Sequence, residues 1–196
     1  MTGCHNEWPA VLIPAGTIAR RVAELGAEIS SDYLHVMRGG KGGELVLLGV
    51  LKGAFVFVAD LARALSIPVV VDFISAASYG SGRVSSGIVA IDPTAWPYGT
   101  GRDVLIVEDV LDTGRTLEAV VAYISKFDPK SVKTAALLRK PKAKFNVDYA
   151  GFDIEDRFVV GCGLDDAGRW RHLPYVGVVS EDTGEGLVVA CQKTSD

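Results

Sequence analysis

Hydrophobic residues recur along this chain with two different periods, and the change between them divides it. Ile18, Val22, Leu25 and Ile29 share one helical face, with Arg20, Arg21 and Glu24 between them, so the spacing predicts about three turns of amphipathic helix. The basic, glycine-rich stretch Arg38-Gly39-Gly40-Lys41-Gly42-Gly43 then breaks the pattern. It comes before a strand and does not join a strand to a helix, so it reads as a linker turn and not as a phosphate loop.

From Glu44 the period shortens. Leu45 to Leu51 is a short, nearly continuous apolar run, as expected of a strand covered on both faces. Phe55, Val58, Leu61, Ala62 and Leu65 return to helical spacing, Pro68 closes that segment, and Val69 to Ile74 is a β-branched strand. Val104 to Val107 predicts a third strand, followed by a helix carrying Leu117, Val120, Val121 and Ile124; Val132 to Leu138 predicts a fourth. Buried strands alternating with helices imply an α/β fold with a parallel twisted sheet flanked by helices. Ser75 to Arg102, rich in Ser, Gly and Pro, is long enough to suggest a lid or binding loop. After Lys140 the alternation fades, and short segments at 158–160 and 175–179 suggest a small cap.

Composition narrows the function classes. Of 196 residues, 48% are hydrophobic, enough for a sizeable core, and 20 Lys+Arg against 24 Asp+Glu give a net charge of −4. No basic surplus marks a nucleic-acid or anionic-membrane binder. Cys4, Cys162 and Cys191 are scattered without metal-ligand spacing, so neither a zinc site nor a disulfide framework is expected. The first residues lack the basic and apolar regions of a signal peptide, and no apolar run reaches the ~18–20 residues of a membrane span. A soluble, cytoplasmic protein is expected.

The most specific chemistry lies in Val107-Glu108-Asp109-Val110-Leu111-Asp112-Thr113-Gly114-Arg115-Thr116. In open α/β sheets ligands bind at the carboxyl ends of strands, where this stretch must lie. Thr113, Gly114 and Thr116 at a helix start offer backbone N–H groups and hydroxyls to an anion. Glu108 and Asp109 can accept hydrogen bonds from vicinal hydroxyls, directly or through a hard cation. A ribose 5-phosphate meets both demands. Paired carboxylates on a buried strand are costly unless cations or donors offset them, so a merely solvated acidic loop is a poor account of them. Neither GxxxxGK[ST], GxGxxG nor GxSxG occurs in a suitable context.

This string closely resembles the phosphoribosyl-pyrophosphate signature of the type I phosphoribosyltransferases, and from about Ile18 to Val179 the chain is similar to their hypoxanthine-guanine members. Matching blocks include Gly49 to Phe55, Ala77 to Gly80, Leu137 to Pro141, Phe158 to Gly161, Leu164-Asp165 and Trp170 to Tyr175. The resemblance implies a single domain over 1–196, with a core at about 34–145, a hood from about 1–33 and 146–196, and a flexible lid. It implies purine salvage, with a phosphoribosyl group passing from phosphoribosyl pyrophosphate to hypoxanthine or guanine. The products would be IMP or GMP and pyrophosphate.

The resemblance also assigns roles. Glu108 and Asp109 would hold the ribose hydroxyls, Asp112 would act as general base or acid at purine N7, and Thr113, Gly114, Arg115 and Thr116 would bind the 5-phosphate. Lys140 would donate to the purine 6-oxo group, Phe158 would stack on the base, and Val159 with Leu164 would meet its edge. Asp165 would ligate Mg2+, with Glu108 and Asp109 also near the metal. Lys52, Gly53 and Arg171 would approach the pyrophosphate, the Leu51–Lys52 peptide being often cis in relatives, while Ser78 and Tyr79 would sit on the lid. A homodimer or homotetramer is implied, with neither nucleic acid nor membrane as partner. Arg139, Cys162 and Asp166 depart from the common pattern and bear on base preference. Xanthine or a pyrimidine as substrate, and a nucleotide-sensing regulator that binds RNA or DNA, are the competing readings.

Overall fold

The computed structural model of the chain describes residues 8–38, 43–78, 89–91, 98 and 100–179. In chain order these form β1 (Ala10–Ile13), α1 (Ala15–Asp32), β2 (Leu45–Leu51), α2 (Phe55–Ala64) and β3 (Val69–Ser78). There follow β4 (Val89–Ile91), β5 (Asp103–Leu111), α3 (Arg115–Ile124), β6 (Ser131–Arg139), β7 (Tyr149–Asp153), β8 (Val159–Val160) and β9 (Val176–Val178). Six strands make one sheet in the order β4-β3-β2-β5-β6-β7. From β3 to β7 neighbours run parallel, and β4 turns back antiparallel on β3. The expected α/β architecture, a largely parallel sheet flanked by helices, is what forms.

Side chains alternate across a strand, so β2 serves two cores at once. Leu45 and Leu47 join Ile18, Val22, Leu25 and Ile29 of α1 and Phe57, Val58 and Leu61 of α2 on one face. Val46, Leu48 and Val50 meet Leu117, Val120 and Ile124 of α3 on the other. Each such side chain stabilises the fold by ~1.5–3 kcal/mol when fully buried. Burial on both faces is also why these strands read as unbroken apolar runs.

Strand order fixes where a ligand can sit. From β2 the chain builds outward to β3, then crosses back to β5 and builds outward the other way through β6 and β7. The carboxyl ends of β2 and β5 therefore flank the point where the order reverses, the usual ligand crevice in such sheets.

A second, antiparallel sheet contains β1, β9 and β8, in that order. It joins the first strand of the described chain to the last two. The apolar stripe of α1 is buried with α2 against the large sheet. Residues 149–153 form the edge strand β7 paired with β6. The connection after Ile74 starts later than expected, because β3 continues through Ser78 and β4 pairs back on it. No helix among the described residues is long and apolar enough to cross a membrane.

Candidate active site

Two loops meet at the switch point. After β2 the Leu51–Lys52 peptide is cis, and Gly53 follows with no room for a side chain, since a β-carbon there would collide with Asp109 Oδ2. Glycine at 53 is thus what lets a carboxylate of β5 pack against the loop after β2. Glu108 and Asp109 are both buried. Asp109 Oδ1 accepts the Val110 N–H at 2.9 Å, whereas Glu108 Oε2 is buried without a hydrogen-bond partner.

The same strand shows how a buried carboxylate is normally accommodated. At its amino end Asp103 accepts Ser131 Oγ at 2.6 Å and Lys130 Nζ at 2.9 Å, with His35 Nε2 at 2.8 Å. Burial works against its charge, but Ser131, Lys130 and His35 together hold the carboxyl below its ordinary value. At the carboxyl end the balance is reversed. Burial, then the Asp109 charge, pushes Glu108 well above the usual carboxylate range. Burial also raises Asp109, with the Val110 N–H and the Arg171 charge offsetting it only in part. Such incompletely offset electrostatic strain in a crevice marks a place for cations or hydroxyl donors.

Beyond β5 the turn is shaped by residues distant in sequence. Gly114 takes the left-handed conformation, φ 91°, with Phe145 where its β-carbon would point. Backbone bonds run from Lys140 N–H to the Leu111 carbonyl, 3.0 Å, and from Lys144 N–H to the Thr113 carbonyl, 3.2 Å. Helix α3 then begins at Arg115 without a side-chain cap, and its Glu118 N–H bonds to the Gly114 carbonyl at 2.9 Å. The N–H groups before Glu118 have no intrahelical acceptor and are free to take an anion. Thr113 and Arg115 are exposed at this helix start.

Asp112 stands within the turn, and Lys142 reaches it. Lys142 Nζ is 2.9 Å from Asp112 Oδ1 and 3.1 Å from Asp156 Oδ2, while Lys140 Nζ is 3.2 Å from Asp156 Oδ1. The first of these is an electrostatic contact without hydrogen-bond alignment. Contact with Asp112, then with Asp156, raises the Lys142 ammonium above its ordinary value. Lys142 and Asp156 had no signature in the sequence, because their partners come from other elements.

The segment before β9 closes the crevice from another side. Arg171 donates to the Gly163 carbonyl at 2.7 Å and pairs with Asp165 at 2.6 Å. The other Asp165 oxygen accepts the Gly168 N–H at 2.7 Å. Gly163, φ 101°, touches Gly53, since a β-carbon on it would strike the Gly53 carbonyl. Thus Asp109, Gly53, Gly163, Arg171 and Asp165 form one run of contacts, and Asp112, Lys142, Asp156 and Lys140 form another. Val159 and Leu164 are buried in the same apolar cluster as Cys162. Phe158 immediately precedes β8. Tyr79 and the Ser78 side chain lie outside the described residues.

No three His, Cys, Asp or Glu side chains converge on a metal-sized site among the described residues. Magnesium commonly takes only one or two carboxylates and completes its shell with water and phosphate oxygens. The partnerless Glu108 oxygen beside Asp109 suits that sparse mode. Relieving this pair has a stability consequence that can be measured. A carboxyl whose folded pKa lies above its unfolded value favours the fold at low pH and loses that benefit as pH rises. Glu108→Gln is therefore expected to stabilise the ligand-free protein at pH 7 by about 1 kcal/mol, ~2–4 °C in Tm. The gain should vanish near pH ~4, where the unfolded carboxyl also protonates. Thermal unfolding at both pH values is the check, and a lower Tm at pH 7 contradicts the burial argument.

The phosphoribosyl transferase domain family matches residues 14–167. The chain belongs to the phosphoribosyltransferase family. Hypoxanthine phosphoribosyltransferase of Salmonella typhimurium is 45% identical over 172 residues, covering 86% of this chain and 94% of that protein. Hypoxanthine-guanine phosphoribosyltransferase of Mycobacterium avium is 45% identical over 173 residues, 87% of this chain and 85% of its own. Among solved structures, the Trypanosoma cruzi hypoxanthine phosphoribosyltransferase in complex with the product IMP superposes with a TM-score of 0.79 at 35% identity. That match covers 92% of this phosphoribosyltransferase and 100% of the trypanosomal chain.

Proposed function

We propose that this phosphoribosyltransferase moves the 5-phosphoribosyl group of phosphoribosyl pyrophosphate onto hypoxanthine or guanine in purine salvage. IMP or GMP and pyrophosphate are the products. The observation that carries the reading is the buried carboxylate pair Glu108 and Asp109, one Glu108 oxygen of which has no partner, next to the uncapped start of α3 at the strand switch point. One side of that crevice asks for hydroxyl donors or cations, and the other asks for an anion.

In this reading the backbone and hydroxyls of Thr113, Gly114, Arg115 and Thr116 bind the 5-phosphate, while Glu108 and Asp109 hold the ribose hydroxyls. Asp112 handles the purine proton at N7, and a general base of this kind contributes ~10²–10⁴-fold. Lys140 donates to the 6-oxo group; a site built on a donor there rejects an amino group in its place. Phe158 stacks on the base, with Val159 and Leu164 along its edge. Lys52, Gly53 and Arg171 face the departing pyrophosphate, and Ser78 and Tyr79 belong to the covering loop. Asp165, with Glu108 and Asp109 nearby, would hold Mg2+, which would supply charge stabilisation for the leaving diphosphate. The reading extends to a cytoplasmic homodimer or homotetramer.

A purine panel tests it. With phosphoribosyl pyrophosphate and magnesium, pyrophosphate release is expected with hypoxanthine and guanine, and not with adenine or uracil. Excess chelator should abolish it. Turnover of adenine in preference to both 6-oxopurines, or full activity in chelator, overturns the assignment.

A further inference from the structure

The turn bearing Asp112 and the segment bearing Lys142 are stitched together on both sides of the pair. Lys140 N–H bonds to the Leu111 carbonyl and Lys144 N–H to the Thr113 carbonyl, at 3.0 and 3.2 Å. Residue 142 lies midway between those two donors, as residue 112 lies between the two acceptors. The backbone itself therefore aims Lys142 at Asp112. The lysine is also held from behind, by Asp156 Oδ2 at 3.1 Å. Asp156 is tethered in turn through its other oxygen to Lys140 at 3.2 Å.

The Asp112 carboxyl group is divided by this arrangement. Its Oδ1 faces Lys142 at 2.9 Å and is closed to solvent, yet the side chain as a whole is 48% exposed. The exposure thus falls on the remainder of the group, leaving Oδ2 as the oxygen open to a ligand. A half-exposed aspartate without a partner would sample several rotamers; one held by a cation through a single oxygen is fixed while its other oxygen stays available.

We propose that Lys142, anchored by Asp156, is a positioning residue that holds Asp112 with one oxygen presented to the purine. It acts only through Asp112, touches no substrate atom, and rests on the reading of Asp112 as the proton-handling group. Because Asp156 binds both lysines, the same bridge ties the carboxylate facing N7 to the ammonium facing the 6-oxo group.

The test is a double-mutant cycle in single-turnover transfer, on the full chain with phosphoribosyl pyrophosphate, magnesium and hypoxanthine. Lys142→Met is expected to slow transfer about tenfold, a part of the ~10²–10⁴ a general base contributes, with KM for phosphoribosyl pyrophosphate unchanged. Lys142→Arg, which keeps the charge, should recover most of the rate. In the Asp112→Asn background Lys142→Met should add no further loss, since residues acting as a unit are not additive. A wild-type rate in Lys142→Met, or a loss of the same size in the Asp112→Asn background, overturns the proposal while a slow Asp112→Asn leaves the function standing. A fast Asp112→Asn overturns the role of Asp112 and this proposal together.

Discussion

Asp112→Asn is expected to slow single-turnover phosphoribosyl transfer by ~100-fold or more while binding of the sugar phosphate survives. Asparagine keeps the shape of the side chain and can still lie in the turn fixed by the Lys140–Leu111 and Lys144–Thr113 backbone bonds. What it loses is the capacity to take a proton. The groups proposed to grip the 5-phosphate belong to the start of α3 and are untouched, so phosphoribosyl pyrophosphate affinity should change little. Rapid-quench measurement of the chemical step, with equilibrium binding alongside, separates the two. A near-wild-type chemical rate removes Asp112 from the mechanism, and a collapse of binding with an unchanged rate would give it a different task.

Gly163→Ala should destabilise the protein strongly, by about 3 kcal/mol, or roughly 6–12 °C in Tm for a chain of this size. Two penalties coincide. At φ 101° an L-residue is strained whatever its surroundings. The added β-carbon also meets the Gly53 carbonyl, which is backbone and cannot rotate away. Relief would require moving either the loop after β2 or the turn that carries Arg171 and Asp165. Loss of phosphoribosyl transfer is therefore expected even at temperatures where the variant remains folded. Differential scanning calorimetry and a transfer assay on the same sample test both parts; a Tm within about 2 °C of wild type would mean that the contact yields easily.

Much of the architecture was legible because its strands are covered on both faces. The apolar run at 45–51 coincides with β2, and the runs at 104–107 and 132–138 sit inside β5 and β6. Elements at the margins were not legible. Strand β7, Tyr149-Ala150-Gly151-Phe152-Asp153, is an edge strand with a glycine inside it, and neither period appears in so short and mixed a segment. Strand β4 has three residues and lies inside a stretch rich in Ser, Gly and Pro. The same division holds for the site. Residues 108–116 are contiguous, so their chemistry could be read as a string. Lys142 opposite Asp112, and Gly163 opposite Gly53, are pairings made by the fold between loops far apart in the chain. Only the folded form reveals them.

The contrast between the two ends of β5 has a practical meaning for anyone redesigning this enzyme. Asp103 anchors a saturated polar cluster at the floor of the sheet, whereas Glu108 and Asp109 leave the rim electrostatically hungry. Robustness and reactivity are thus assigned to opposite poles of a single strand. Mutagenesis aimed at heat tolerance can work on the floor and leave turnover intact, while any calming of the rim is expected to trade away the proposed grip on substrate.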